Sequence, residues 1–173
     1  MRLLFTMDAQ NYDPAGTKFS RPSVRGVILR DGKLAMVHAR EHDFYKFPGG
    51  GMEPGEDKLE TLIREVREES GMTVIRGSIR PYGRVYRIEK GHPEDVFEQE
   101  NYYYFCDVED AVGAQELDAY ERREGFTLEW VAPAEVVRRN RALTQDSGYL
   151  YWRMAQREAR VAEMLEEELA VSN

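Results

Sequence analysis

The chain has 173 residues, 42% hydrophobic and 32% charged, with a formal net charge of −8. That size and apolar content suit one globular domain with a real core, and the acidic balance argues against a nucleic-acid backbone as partner. No apolar run approaches a membrane span, MRLLFTMDAQ turns acidic too soon for a signal peptide, and the single Cys106 cannot form an internal disulfide, so a cytoplasmic monomer or homodimer is expected.

Residues 1–20 read as an N-terminal extension that adds a short strand and a turn, and residues 21–173 as a single domain. SVRGVILR, a turn at Asp31-Gly32 and KLAMVHAR then predict a β-hairpin. Next comes FPGGGMEPGE, whose prolines and three consecutive glycines predict a tight loop able to bring its backbone close to a ligand. From Asp57 to Ser70 a helix is predicted, because Leu59, Leu62, Ile63 and Val66 fall at i, i+3, i+4 and i+7. Asp57 with Glu60 has the form of a capping box, and Gly71 stands where a C-terminal cap belongs.

Downstream, Thr73 to Glu89 reads as a strand or two strands broken near Pro81, and Gly91 to Asp95 as a turn. Gln99 to Val108 is a strongly β-forming stretch in which Tyr102, Tyr103 and Tyr104 alternate across a sheet. Glu109 to Gly125 reads as an acidic loop, and FTLEWVAP as a strand. Two helices complete the chain, Pro133 to about Arg141 and Tyr149 to about Leu169. The apolar Leu150, Met154, Val161, Leu165 and Leu169 of the last helix suit packing on the sheet or on a second subunit. Cys106, inside YYYFC, is expected to be a buried small hydrophobe. Strands on either side of a helix, with more helix after them, predict an α/β fold with a mixed sheet covered on both faces.

The chemistry concentrates on the central helix. Glu65, Glu68 and Glu69 are spaced so that their carboxylates share one face, ~120° from the apolar stripe. Such like charges repel in a bare helix, and a hard divalent cation converts that cost into a binding site. A solvated charged face is the plain alternative for REVREES, and the glycine loop ahead of it argues against that alternative.

Gly50, five residues, Glu56, seven residues and then Arg64-Glu65-Val66-Arg67-Glu68-Glu69-Ser70-Gly71-Met72 reproduce GX5EX7REUXEEXGU without departure. At about 7% per residue type, seven fixed identities arise by chance with odds of about 10⁻⁸ per start position. The stretch therefore resembles the signature of the Nudix hydrolases, strongly over residues 24–132 and weakly beyond. The resemblance implies an α/β/α sandwich and metal-dependent hydrolysis of a nucleoside diphosphate linked to another moiety, with Mg²⁺ or Mn²⁺ as cofactor. It implies Glu68 and Glu69 as metal ligands with the Gly49 carbonyl, Glu65 as ligand, base or both, and Arg64 with Glu56 as an interlocked pair orienting Glu65.

A further base is expected from a loop outside the motif. Glu124, a few residues before Glu129-Trp130, is the first candidate, with Glu121 and Glu116 in the same loop and Glu98 and Glu100 as alternatives. Arg40, Lys46 and Gly50 are candidate substrate contacts; His38, His42, Trp130 and one of the three tyrosines are weaker ones. Markers of the moiety are indecisive. The proline that ADP-ribose hydrolases tend to carry past the motif is missing around Arg87, and Tyr86 falls slightly early for dinucleoside polyphosphate hydrolases. The upstream motif of coenzyme A hydrolases is absent from MVHAREHDFYKFPGG, and a nucleoside triphosphate or nucleotide sugar fits equally. A Nudix fold that senses a nucleotide without hydrolysing it is the rival class; retention of every glutamate of the motif argues against it.

Overall fold

A computed structural model describes residues 1–171. Its first sheet runs β1 (Leu3–Asp8), β8 (Arg80–Lys90), β9 (Val96–Phe105) and β2 (Lys18–Ser20), with β3 (Ser23–Val27) also paired to β9. The β8–β9 pair is antiparallel, whereas β1, β2 and β3 join in parallel. A second sheet places β5 (Lys33–Ala39) against β11 (Phe126–Val131), β4 (Leu29–Arg30) and β6 (Phe44–Lys46). β7 (Met72–Val74) and β10 (Val108–Val112) form a two-stranded ribbon.

Helix α1 (Lys58–Ser70) covers one side of these sheets, burying Leu62 and Val66 against Val24, Ile28, Ala35, Met72 and Tyr104. On the other side lie α3 (Pro133–Ala142) and α4 (Tyr149–Val171), whose Val136, Val161 and Leu165 meet Val27, Met36, Phe47, Val85 and Tyr103. The result is the expected α/β/α sandwich. The last helix thus packs on the sheet; of its apolar residues Val161 and Leu165 are buried, whereas Leu150 is 49% exposed. Tyr103 faces α4 and Tyr104 faces α1, as strand alternation requires. Cys106 is buried and free.

Several elements depart from expectation. The stretch 23–30 is not one arm of a hairpin: Val27 pairs with Phe105 in the first sheet, and Leu29 with Leu34 in the second. The chain switches sheets at Ile28, and every residue from Ser23 to Ile28 is buried because α1 covers one face of the crossing and α4 the other. The tight turn stands as predicted, with positive φ at both Asp31 and Gly32, and so does the second arm β5, which pairs antiparallel across it with the short β4. The break expected at Pro81 falls instead at a 3₁₀ turn, Arg76–Ser78, and Pro81 sits at a register shift inside β8, where its missing N–H breaks no ladder. Gln99–Val108 starts earlier and is cut at Cys106. The acidic loop 109–125 contains part of β10 and the short helix α2 (Ala119–Arg123), closed by a reciprocal Asp118–Glu121 capping box. The extension contributes two strands, β1 and β2, rather than one.

α1 begins and ends where predicted. Asp57 accepts from the N–H groups of Leu59 at 2.7 Å and Glu60 at 2.9 Å. The reciprocal half of the box is missing, because Glu60 pairs with Arg76. Gly71 takes the left-handed cap at φ 73°. Since Leu62 is fully buried between α1 and both sheets, Leu62→Ala is expected to cost ~2–5 kcal/mol in urea unfolding. A loss below ~1 kcal/mol would mean that this seam does not hold the helix in place.

Candidate active site

The acids of α1 differ in exposure along one turn. The side chain of Glu68 is 38% exposed, that of Glu65 12% and that of Glu69 2%. Glu69 is therefore a buried carboxylate, and its partners come from other elements. Lys46 of β6 donates to Oε1 at 2.5 Å, and the Gly49 N–H donates to Oε2 at 2.9 Å. Gln115 also donates to the Glu69 carbonyl.

Arg64 ties the remaining acids together. Its Nε and Nη2 hold both oxygens of Glu56 at 2.8 and 2.9 Å, while Nη1 donates to Glu65 at 2.8 Å and to Glu68 at 3.1 Å. This fork lowers the Glu56 carboxyl to about 2, against the opposing effect of burial. Glu65 moves the other way. Burial pushes its carboxyl up, the charge of Glu69 adds to the rise, and Arg64 opposes both.

The glycine loop fits closely over these acids. A side chain at Gly50 would begin 2.2 Å from Oε2 of Glu65, and one at Gly49, whose φ is 140°, 2.1 Å from the Val24 carbonyl. Only glycine permits this approach. The Gly49 carbonyl accepts from Arg25 of β3, a buried guanidinium that also bonds the Phe47 carbonyl at 3.5 Å and whose Nε has no partner among the described residues. Arg25 was not anticipated. Its signal was a cation inside the otherwise apolar SVRGVIL, on the opposite strand face from Val24 and Gly26.

The outlying candidates divide. Glu124 is 3% exposed and turns toward His42 at 3.2 Å and the Tyr151 hydroxyl at 3.3 Å, with His42 stacked on Tyr151. Glu121 is the loop acid that feels the α1 acids: burial raises its carboxyl to about 7, with the charge of Glu69 adding to the rise, and the Asp118 N–H and Lys46 lowering it. Glu116 pairs with Arg67, Glu98 with Lys18 and Glu100 with Arg84. Arg40 donates to Thr127 at 3.1 Å and stands 3.8 Å from Glu129. His38 bridges Glu129 and Asp43 at 2.9 and 2.8 Å. Trp130 packs toward α1 beneath Arg30, and Tyr102 lies under Lys58.

Three carboxylates and a carbonyl are the oxygen donors that a hard divalent cation takes, and the side-chain-free Gly50 leaves the Glu65 carboxylate open to the loop. In donor type the residues fit such an ion. Lys46 on Glu69 and Arg25 on the Gly49 carbonyl supply positive charge to two of these donors. Among the described residues, no three His, Cys, Asp or Glu side chains already converge as a metal group.

The NUDIX domain model matches residues 20–152. This chain belongs to that family. It is 30% identical over 74 residues to an ADP-ribose pyrophosphatase of Methanocaldococcus jannaschii, covering 40% of this chain and 44% of that protein. It is 37% identical over 76 residues to an RNA pyrophosphohydrolase of Halorhodospira halophila, covering 40% of this chain and 41% of that one. The chain thus matches less than half the length of these curated relatives. A NUDIX hydrolase from Nitrosomonas europaea superposes with a TM-score of 0.58 at 20% identity, over 73% of this chain and 81% of the other, a likeness of fold.

Glu121 gives a test of the electrostatics. Its folded carboxyl, at about 7, binds a proton more tightly than the ordinary glutamate at 4.5. The folded state therefore holds the extra proton between those values, and stability falls as pH rises through that window. Thermal midpoints of Glu121→Gln are expected to gain on wild type from pH 4.5 to 7. A constant difference across the window would contradict this placement.

Proposed function

We propose that the chain hydrolyses a diphosphate linkage in a nucleoside diphosphate joined to another moiety, in a metal-dependent reaction. The observation that carries this reading is the Arg64 fork, which holds Glu56, Glu65 and Glu68 together beside the loop that Glu69 grips. The named activities of the relatives, on ADP-ribose and on RNA, support the type of bond cleaved and leave the moiety open.

Members of the family generally use divalent ions; Mg²⁺ or Mn²⁺, when bound, screens the diphosphate and acidifies a water. Glu68, Glu69 and the Gly49 carbonyl would hold it. Glu65 takes the proton of the attacking water as the new P–O bond forms and the bridging P–O bond breaks. Its Oε1 is engaged by Arg64, which leaves Oε2, facing Gly50, for the proton. Burial makes this carboxylate a stronger base than a free glutamate. Arg64 and Glu56 position it and do not touch the reacting atoms. Lys46 gives the buried Glu69 its counter-charge, and Gly50 brings the loop backbone to the substrate.

One observation favours a second reading, a nucleotide sensor without hydrolysis. Lys46 and Arg25 already satisfy two of the expected metal donors.

The test is phosphate release, coupled to a phosphatase, over ADP-ribose, dinucleoside polyphosphates, nucleoside triphosphates and nucleotide sugars with Mg²⁺ or Mn²⁺. Glu65→Gln is expected to lower kcat by ~10²–10⁴-fold. Glu56→Gln should cost ~10–100-fold, as expected for a residue acting through another. Silence of the folded wild type across the panel would overturn hydrolysis and leave the sensor.

A further inference from the structure

Across the first sheet from α1, a cavity of about 580 Å³ lies between the β8–β9 hairpin, β2 and the start of α4. Its walls carry five cations, Arg21, Arg25, Arg87, Lys90 and Arg157, against two carboxylates, in a chain whose net charge is −8. Two of the five are committed. Arg87 shares Glu89 with Arg153, and Arg157 is held by Glu158 at 2.5 Å and by Asn101 at 2.6 Å. Of the other three, Arg21 and Lys90 make no ion pair among the described residues, and Arg25, which donates to the Gly49 and Phe47 carbonyls, keeps its buried Nε without a partner among them.

An aromatic pair stands at the rim. Phe19 is 44% exposed, and its ring lies 6.0 Å from that of Phe97 across the β2–β9 register. A large exposed aromatic beside unpaired cations is a stacking surface for a planar, charged ligand.

The cavity is joined to the candidate site in two places. A second cavity, about 470 Å³, shares Phe19 and Arg21 with the first and is walled on its far side by Met52 to Glu56 of the motif loop. Arg21 lies against that loop, since a side chain at Gly51 would begin 2.5 Å from its Nε. Arg25 reaches from the cavity wall to the Gly49 carbonyl.

We infer that this cavity receives a nucleoside polyphosphate arm of the substrate, its base against Phe19 and Phe97, and at least one phosphate beyond the scissile diphosphate on Arg21, Arg25 and Lys90. The inference rests on the diphosphatase reading above and narrows it. An uncharged sugar would bury these cations without a counter-charge, whereas an additional phosphate neutralises them. Nucleoside triphosphates and longer polyphosphates are therefore the substrate class, in preference to ADP-ribose and nucleotide sugars.

Calorimetric titration of the full chain in EDTA tests this without turnover, with ATP, inorganic tripolyphosphate and ADP-ribose as probes. ATP is expected to bind about tenfold more tightly than ADP-ribose. Arg21→Ala and Lys90→Ala, both at exposed positions, should each weaken ATP and tripolyphosphate ~3–10-fold and leave ADP-ribose nearly unchanged. Phe19→Ala should weaken ATP and spare tripolyphosphate. ADP-ribose binding as tightly as ATP, or ATP binding unaltered in both cation variants, would overturn the assignment. Hydrolysis under Mg²⁺ separates the two readings. A wild type that hydrolyses ATP with the same KM as Arg21→Ala overturns the subsite alone. A wild type that hydrolyses nothing yet keeps the binding pattern overturns hydrolysis and supports the anion pocket.

Discussion

A carboxylate with almost no exposure cannot stand alone, and the placement of Glu69 governs the candidate site. Removing one partner from a buried ion pair typically costs ~3–5 kcal/mol, so Glu69 fixes whatever meets it. It meets Lys46 on β6 and the Gly49 N–H on the motif loop. One side chain thereby joins helix, sheet and loop. The other acids follow from helical geometry. Glu65 comes under Gly50 one turn earlier, and Glu68 turns outward next to Arg64.

The second constraint is the crossing of β3 and β4 between the two sheets. Since both faces of 23–28 are covered, this segment can place Val24 and Gly26 under α1 while Arg25 projects to the α4 side. α1 lies close over Gly26, where a side chain would begin 3.1 Å from Val66. The same few residues thus carry the packing of α1 and supply a buried cation at the Gly49 carbonyl. Beneath α4, Arg157, Glu158, Asn101, Ser23 and Tyr103 satisfy one another in a buried polar network that fixes the far wall of the basic cavity.

What could be read from the sequence was local. The caps of α1, its apolar stripe and the common face of its acids depend on spacing alone, and the Arg64–Glu56 pair lies within one motif. Strands with clear alternation, such as Phe126–Val131, were equally legible. What could not be read depends on distant partners. β10 is exposed along most of its length and is a strand only because β7 lies beside it, so no hydrophobic pattern marks it. The split of 23–30 follows from two different neighbours, β9 and β5, which a run of buried residues does not reveal. Glu124 and Glu121 share one acidic stretch, and only the short helix α2 turns the first toward His42 and leaves the second in the field of Glu69. Lys46 read as a candidate substrate contact because nothing nearby in sequence shows the acid that buries it.

The central claim is that the acids of α1 hold a divalent cation. Titration of Mn²⁺ followed by electron paramagnetic resonance tests it directly, comparing wild type with a folded Glu68→Gln, Glu69→Gln double variant. Saturable binding in wild type that disappears in the variant is the predicted result. Equal binding by both proteins, or none by wild type, would contradict the account.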